Sequence, residues 1–159
     1  MTVLIYIDAD ACPVKDEVYT VAGRHQTPTI FVANEYIRIP RLPLFTMQVV
    51  DKGFDAADDW IAERANARSI VVTADILLAQ RCIEAGASVI AHTGKPFTEA
   101  NIGNAVATRA IMQDLRAGAG NKNTNSTAHL GGPAPFSKAD RSRFLAALHE
   151  NIERLKRAI

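Results

Sequence analysis

Short apolar runs rich in Val and Ile recur along the chain, and helix-like segments separate most of them. The clearest runs are Val-Leu-Ile-Tyr-Ile at 3–7 and Ile-Val-Val at 70–72. Runs of this length and composition are typical of strands buried on both faces, which occur in parallel sheets. The predicted strands are 2–8, 29–33, 46–50, 69–73 and 87–91. Their alternation with helices predicts an α/β fold, a three-layer α/β/α sandwich around a mostly parallel sheet of about five strands.

Apolar residues at helical spacing, together with turn and capping residues, mark the segments between these strands. The predicted helices are 14–24, 55–66, 76–85, 98–116 and 137–157, the last one capped by Ser137. A chain of 159 residues suits one domain, so we expect 1–159 to fold as a unit. Within it, 119–136 predicts a mobile loop because Gly, Asn, Ser, Thr and Pro dominate there, and helix 137–157 is expected to pack on the domain.

Charge is distributed unevenly along a chain whose net charge is only +1. Residues 1–100 hold nine Lys/Arg against thirteen Asp/Glu, whereas residues 101–159 hold nine against four. An acidic half beside a basic half suits a metal-dependent enzyme that acts on nucleic acid, although on charge alone a solvated helical surface is the preferred explanation. No apolar stretch approaches the ~20 residues of a membrane span, and the N-terminus has no signal-peptide pattern. Two widely spaced cysteines indicate reduced thiols, so we expect a cytoplasmic protein without membrane contact.

Aspartates follow three of the predicted strands at the point where each strand ends. Asp8 and Asp10 follow the first strand, Asp75 follows the fourth, and Asp55, Asp58 and Asp59 open the helix after the third. The carboxyl ends of parallel strands meet at one edge of a sheet, where ligands bind in open α/β folds. Two carboxylates ~5 Å apart repel by roughly 3 kcal/mol at an effective dielectric of ~20. Oxygen ligands without a histidine cluster therefore predict Mg²⁺ or Mn²⁺ at Asp8, Asp10, Asp55, Asp58 and Asp75.

Each of these aspartates also has an ordinary structural explanation. Asp is common in turns and at helix N-termini, where its carboxylate accepts backbone hydrogen bonds. Asp55 and Asp75 precede predicted helices and suit this role. Asp58 is preferred to Asp59 as a ligand, because both cannot point into one pocket from the same helix.

Three blocks of the chain resemble the YaiI/YqxD family of bacterial proteins: IYIDADACPVKDEV, TADILLA and GGPAPFSKADRSRF. The segments KGFDAADDWI, IVVTADILLA and GASVIAHTG are similar, in the same order, to motifs of NYN nucleases, a branch of the PIN-like fold. The resemblance implies a Rossmann-like, PIN-like sandwich and Mg²⁺- or Mn²⁺-dependent cleavage of RNA. It makes Asp8 the first-strand ligand, Asp55 or Asp58 the helix ligand, and Asp75 the acid after the fourth strand. Leu77 and Leu78 stand where such motifs carry a further Asp and an aromatic residue, and Asp10 could substitute for the missing acid.

We therefore predict a divalent-metal-dependent phosphodiesterase, a ribonuclease, with Asp8, Asp10, Asp58 and Asp75 as catalytic residues. Substrate phosphates would meet cationic and hydroxyl side chains near the pocket or in the basic C-terminal part. The predicted substrate-binding residues are Thr73, Lys15, Arg109, Arg116, Arg141 and Arg143. Thr73 has a second interpretation, in which its hydroxyl holds the turn after the fourth strand.

Two other functions, and the formation of a homodimer, are also compatible with the sequence. Asp8 and Asp10 match the Asp-x-Asp opening of haloacid dehalogenase-type phosphatases, with Asp8 as nucleophile and Asp10 as acid. The Leu77–Leu78 departure instead favours a catalytically inactive module that binds RNA or protein. The last helix carries an apolar stripe that either packs on its own sheet, which we prefer, or forms a homodimer: Phe144, Leu145, Leu148, Ile152 and Leu155. His92 follows the fifth strand and could approach the pocket, but a surface position is preferred, and Cys12 is interpreted as a small buried side chain.

Overall fold

The computed structural model describes residues 2–53, 55–119 and 135–158. In them six strands form a single sheet, in which five strands are parallel and the last is antiparallel. The strands are β1 Leu4–Asp8, β2 Thr29–Ala33, β3 Phe45–Val49, β4 Ser69–Val72, β5 Ser88–Ile90 and β6 Pro96–Phe97. The helices are α1 Lys15–Arg24, α2 Ala56–Arg64, α3 Ile76–Glu84, α4 Glu99–Ala119 and α5 Lys138–Arg157. The predicted α/β fold is confirmed, with β6 as one strand more than expected.

Helices cover both faces of the sheet, which gives the three-layer arrangement. Ile5 and Ile7 of β1 pack in one core cluster with side chains of α1 and α5, among them Val18 and Phe144. Tyr6, which points to the other face of the same strand, packs in a second cluster with α2 and α3. The central strands are apolar on both faces because each face is buried under helices.

The last helix lies against α1 on the first face of the sheet. Ser137 and Asp140 form a reciprocal capping box, in which each side chain accepts a hydrogen bond from the other's backbone N–H. Phe144, Leu148 and Ile152 are fully buried in the core cluster of that face. The apolar stripe of α5 therefore packs on its own domain.

The turn between β5 and β6 also contacts this helix. Gly94 has φ of +86°, and a Cβ added there would lie 2.6 Å from the backbone carbonyl of Arg143. Only glycine combines this backbone conformation with such a close approach to a helix.

The strand order is β3-β2-β1-β4-β5-β6, so the direction of winding reverses between β1 and β4. In open α/β sheets, ligands bind outside the carboxyl ends of the strands at this reversal point. Residues 120–134, which hold most of the loop predicted at 119–136, lie outside the described residues. In the parts of the chain that are described, no helix is both long and apolar enough to cross a lipid bilayer.

Candidate functional site at the carboxyl edge of the sheet

A pocket of about 310 Å³ opens at the carboxyl ends of the central strands. The residues that line it come from the segments after β1, β2, β4 and β5 and from the start of α2. Its polar side chains are those of Asp8, Asp10, Asn34, Asp55, Asp58, Asp75 and His92. The five aspartates predicted as metal ligands are therefore brought together by the fold.

A buried threonine links the aspartates that follow β1 and β4. The Thr73 hydroxyl donates to Asp8 Oδ2 at 2.8 Å and accepts from the backbone N–H of Asp75 at 3.0 Å. Asp75 Oδ1 in turn accepts from the N–H groups of Leu77 and Leu78 as the N-cap of α3. Thr73 is fully buried and does not line the pocket, so its hydroxyl positions the Asp8 carboxylate and the backbone of Asp75.

Asp10 is held by the neighbouring strand. Both of its carboxylate oxygens accept from the backbone N–H of Asn34, at 3.1 and 3.2 Å. Because Asn34 directly follows β2, this contact fixes the segment after β1 to the segment after β2.

The start of α2 separates two adjacent aspartates. Asp58 lines the pocket, whereas Asp59 points away from it and accepts from the Arg81 guanidinium at 2.8 Å. Asp55, at the N-cap position of α2, also lines the pocket but makes no capping hydrogen bond through its side chain. Asp58 and Asp55 thus face the carboxylates of β1 and β4 across the cavity.

The clustered carboxylates make ionisation of one another less favourable, and burial adds to this effect. Burial, followed by repulsion from Asp75, Asp8 and Asp55, raises the pKa of Asp58 from 3.8 to about 6, although Arg81 opposes this. Burial also raises the pKa of Asp8, with further repulsion from Asp75 and Asp10, while the hydrogen bond from Thr73 lowers it. A cation in the pocket would relieve this repulsion.

Two buried polar atoms in the pocket have no hydrogen-bond partner among the described residues. They are Asn34 Oδ1 and His92 Nε2. Burial lowers the pKa of His92, which favours the neutral imidazole. Native proteins leave few such atoms unpaired, and those that remain commonly mark ligand or water positions.

The donors that line the pocket fit the chemistry of Mg²⁺ or Mn²⁺. Carboxylate and amide oxygens are the ligands that these hard cations prefer. In the described parts of the chain, no three His, Cys, Asp or Glu side chains are already arranged to hold an ion. Metal binding would therefore require the carboxylates to reorient within the pocket.

The predicted phosphate-binding cations do not line this pocket. Lys15 donates to the Ala9 carbonyl oxygen at 3.5 Å, close to the segment that carries Asp8 and Asp10. Arg141 binds Glu17 and packs over the Phe136 ring, and Arg143 binds Asp140. On α4, Arg109 is half-buried and Arg116 is exposed.

Two pocket residues were not among the predicted site residues. His92, which we expected at the surface, is half-buried in the pocket, and Asn34 was not considered. Both follow predicted strands: the approach of His92 to the pocket was the less favoured alternative, and Asn34 follows from the same position at the carboxyl edge of the sheet once polar residues other than aspartate are included. The interpretation of Cys12 agrees with the structure, because burial raises the pKa of its thiol to about 11.

Comparison with known proteins identifies relatives of the chain over nearly its full length. A family model described as "Uncharacterized BCR, YaiI/YqxD family" matches residues 6–154. A UPF0178 protein of Sphingopyxis alaskensis is 60% identical over 156 residues, covering 98% of this chain and 97% of the relative. Another from Nitrobacter winogradskyi is 54% identical, covering 97% of this chain and 93% of the relative. No solved structure matches the chain significantly.

Proposed function

The chain belongs to the YaiI/YqxD family, and from its acidic pocket we propose that it is a divalent-metal-dependent phosphodiesterase that cleaves RNA. The observation that carries this proposal is the convergence of five aspartates on one pocket at the winding reversal of the sheet. Mutual repulsion in such a cluster costs folding free energy that a bound cation would recover. The resemblance to NYN nucleases supports RNA as the substrate class.

In this proposal the aspartates hold the metal, and Thr73 positions the carboxylate of Asp8 and the backbone of Asp75. Asp8, Asp10, Asp55, Asp58 and Asp75 supply the oxygen ligands. A bound Mg²⁺ or Mn²⁺ would neutralise charge on the scissile phosphate and make a water molecule more acidic. The pKa of about 6 for Asp58 belongs to the metal-free pocket, and a cation beside it would lower that pKa and favour the ionised, ligating carboxylate.

The direct test is calorimetric titration of the metal-free protein with Mn²⁺ and Mg²⁺. We expect stoichiometric binding by the wild type and none by the Asp8→Asn/Asp75→Asn double variant. Asp59→Asn is the matched control, because Asp59 is the neighbour of Asp58 but lies outside the pocket. The Asp59→Asn variant should bind Mn²⁺ and Mg²⁺ with the affinity of the wild type.

Cleavage is then measured on a labelled RNA in Mn²⁺. The single variants Asp8→Asn and Asp58→Asn should each lose about 100-fold or more of the rate, while Asp59→Asn retains it. Wild-type protein that neither binds metal in the presence of RNA nor cuts RNA would overturn the proposal. Equal activity of wild type and double variant would instead reveal a contaminating nuclease.

The second candidate is a catalytically inactive module that binds RNA or protein. It is favoured by Leu77, which is 43% exposed at the position where NYN motifs carry a further acid. This function predicts RNA binding that weakens steeply with salt but no cleavage in Mn²⁺. Introducing an acid with Leu77→Asp would then be expected to strengthen metal binding.

A further inference from the structure

The segment 35–44, which joins β2 to β3, begins at the edge of the acidic pocket. It follows Asn34, whose side chain lines the pocket. Ile37, Ile39 and Leu44 are partly buried and pack against the core cluster that contains α1 and α5. Pro40 and Pro43 restrict the backbone further. The segment is therefore anchored to the domain although it has no regular secondary structure.

Its exposed side chains include an aromatic ring and two cations, beside Glu35 and the half-exposed Leu42. Tyr36 is 72% exposed although it stands next to the anchored Ile37. Arg38 and Arg41 are also exposed, and together with Tyr36, Ile39 and Pro40 they line a surface groove of about 410 Å³ without any acidic side chain. A ring held outward on an anchored backbone loses little entropy when a ligand stacks on it.

These arginines differ from several others in having no acidic partner within the described residues. Arg81, Arg141 and Arg143 each bind a carboxylate. Within the described residues, neither Arg38 nor Arg41 forms an ion pair. The acid of the same segment, Glu35, instead pairs with Lys52 at 3.4 Å. The groove therefore presents uncompensated positive charge beside a negatively charged pocket.

We propose that residues 35–42 form a platform for single-stranded nucleic acid, with Tyr36 stacking on an unpaired base and Arg38 and Arg41 contacting phosphates. The proposal rests on the proposed function and adds how the substrate reaches the pocket. Tyr36 is two residues from Asn34, so their Cα atoms are at most ~7 Å apart. A base stacked on Tyr36 would thus place the adjoining backbone at the pocket entrance.

The same chemistry selects single strands over duplexes. The face of a base is accessible to an aromatic side chain only when the base is unstacked, as in single strands and loops. Arginine contacts to phosphate add affinity without sequence preference. The platform therefore predicts a single-stranded substrate with weak base preference.

The test is fluorescence anisotropy with a labelled, unstructured 12-nucleotide RNA, measured in EDTA and again in Ca²⁺. Tyr36→Ala should weaken binding roughly 5- to 100-fold, whereas Tyr36→Phe, which keeps the ring, should bind like the wild type. Arg38→Ala with Arg41→Ala should make the dependence of log K on log salt shallower by about 1.4. Arg157→Ala, an exposed cation at the end of α5, is the matched control and should change the slope by less than half of this.

Binding and cleavage outcomes separate this inference from the proposed function. Weaker binding by Tyr36→Ala supports the platform even if the wild type never cuts RNA. Cleavage by the wild type with unchanged binding by Tyr36→Ala overturns the platform and leaves the nuclease standing. An equal effect of Tyr36→Ala on duplex RNA, or no wild-type binding in either buffer, also overturns it. Tyr36 is exposed, so circular dichroism should show that both of its variants fold.

Discussion

Removing the charge of Asp58 should stabilise the metal-free protein, and only at neutral pH. The pKa of Asp58 is raised from 3.8 to about 6, so the folded state holds its proton more tightly than the unfolded chain does. This group therefore stabilises the fold most below pH ~4, and that contribution is lost as the pH rises to about 6. Above pH ~7 the ionised carboxylate carries its full cost, which Asp58→Asn removes.

The size of the effect follows from the shift in pKa. About two pKa units correspond to roughly 3 kcal/mol, and because Asp58 is only half-buried we reduce this to about 1.5 kcal/mol for solvent screening. For a chain of this length, such a gain raises Tm by roughly 3–6 °C. At pH 4 the gain should be close to zero, because the wild-type side chain is then largely neutral.

Urea unfolding followed by circular dichroism in EDTA, at several values between pH 4 and pH 7.5, measures this difference. Asp59→Asn is the matched control, since Asp59 is the next residue of α2 and binds Arg81 outside the pocket. The free energy of unfolding of Asp59→Asn, relative to the wild type, should not increase as the pH rises. A pH-independent effect of Asp58→Asn, or a loss of stability at pH 7.5, would refute the electrostatic reasoning.

Saturating Mn²⁺ should reverse the order of stability of the wild type and the Asp58→Asn variant. A ligand at 100 times its Kd stabilises the fold by about 2.7 kcal/mol, which exceeds the gain from Asp58→Asn. The wild type should then be the more stable protein at pH 7.5. If Mn²⁺ stabilised both proteins equally, Asp58 would not be a metal ligand.

Three further predictions concern other contacts. Thr73→Val should lower the free energy of unfolding in urea by about 1–3 kcal/mol, because it leaves Asp8 Oδ2 and the Asp75 N–H without their buried partner. Gly94→Ala should lower the free energy of unfolding by about 2–4 kcal/mol in the same assay, because Gly94 has a positive φ and its added Cβ would meet the backbone of α5. Its control, Gly103→Ala on α4, has open space around the added Cβ and should raise the free energy of unfolding by about 0.5–1 kcal/mol. Cys12 should react with iodoacetamide at pH 8 far more slowly in the native protein than in urea, because it is buried and its pKa is about 11.

Most of the fold was predictable because the strands carry a strong local signal. The bounds of β2 and the cap of α5 were predicted to the residue, since apolar β-branched runs and a Ser-x-x-Asp cap identify these elements without tertiary information. Strand β6 was missed because two residues carry no periodicity, and Pro96 and Phe97 are extended only through pairing with β5. The direction of that pairing is likewise set by the tight turn at Gly94.

The aspartates of the pocket were predictable for the same reason, whereas the partners of the arginines were not. A residue that follows a parallel strand is confined to the carboxyl edge of the sheet whatever its neighbours are. The surroundings of Arg141, by contrast, depend on how α5 packs against α1, which brings Glu17 to its guanidinium. No sequence spacing connects residues 124 positions apart.

The two buried polar atoms of the pocket without a protein partner are compatible with a cation and a phosphate bound together. A buried polar atom left without any partner costs about 1–3 kcal/mol, so a ligand or a water molecule at Asn34 Oδ1 and His92 Nε2 would be favourable. A cation would satisfy the carboxylates and the Asn34 oxygen. If neutral His92 carries its proton on Nε2, that N–H needs an acceptor, which a cation does not supply. A phosphate would accept from His92 but would be repelled by the aspartates. A cation and a phosphate together would satisfy the carboxylates, the Asn34 oxygen and this tautomer of His92. Metal affinity should then rise when a phosphodiester is present, which calorimetry with and without a non-cleavable RNA analogue would measure.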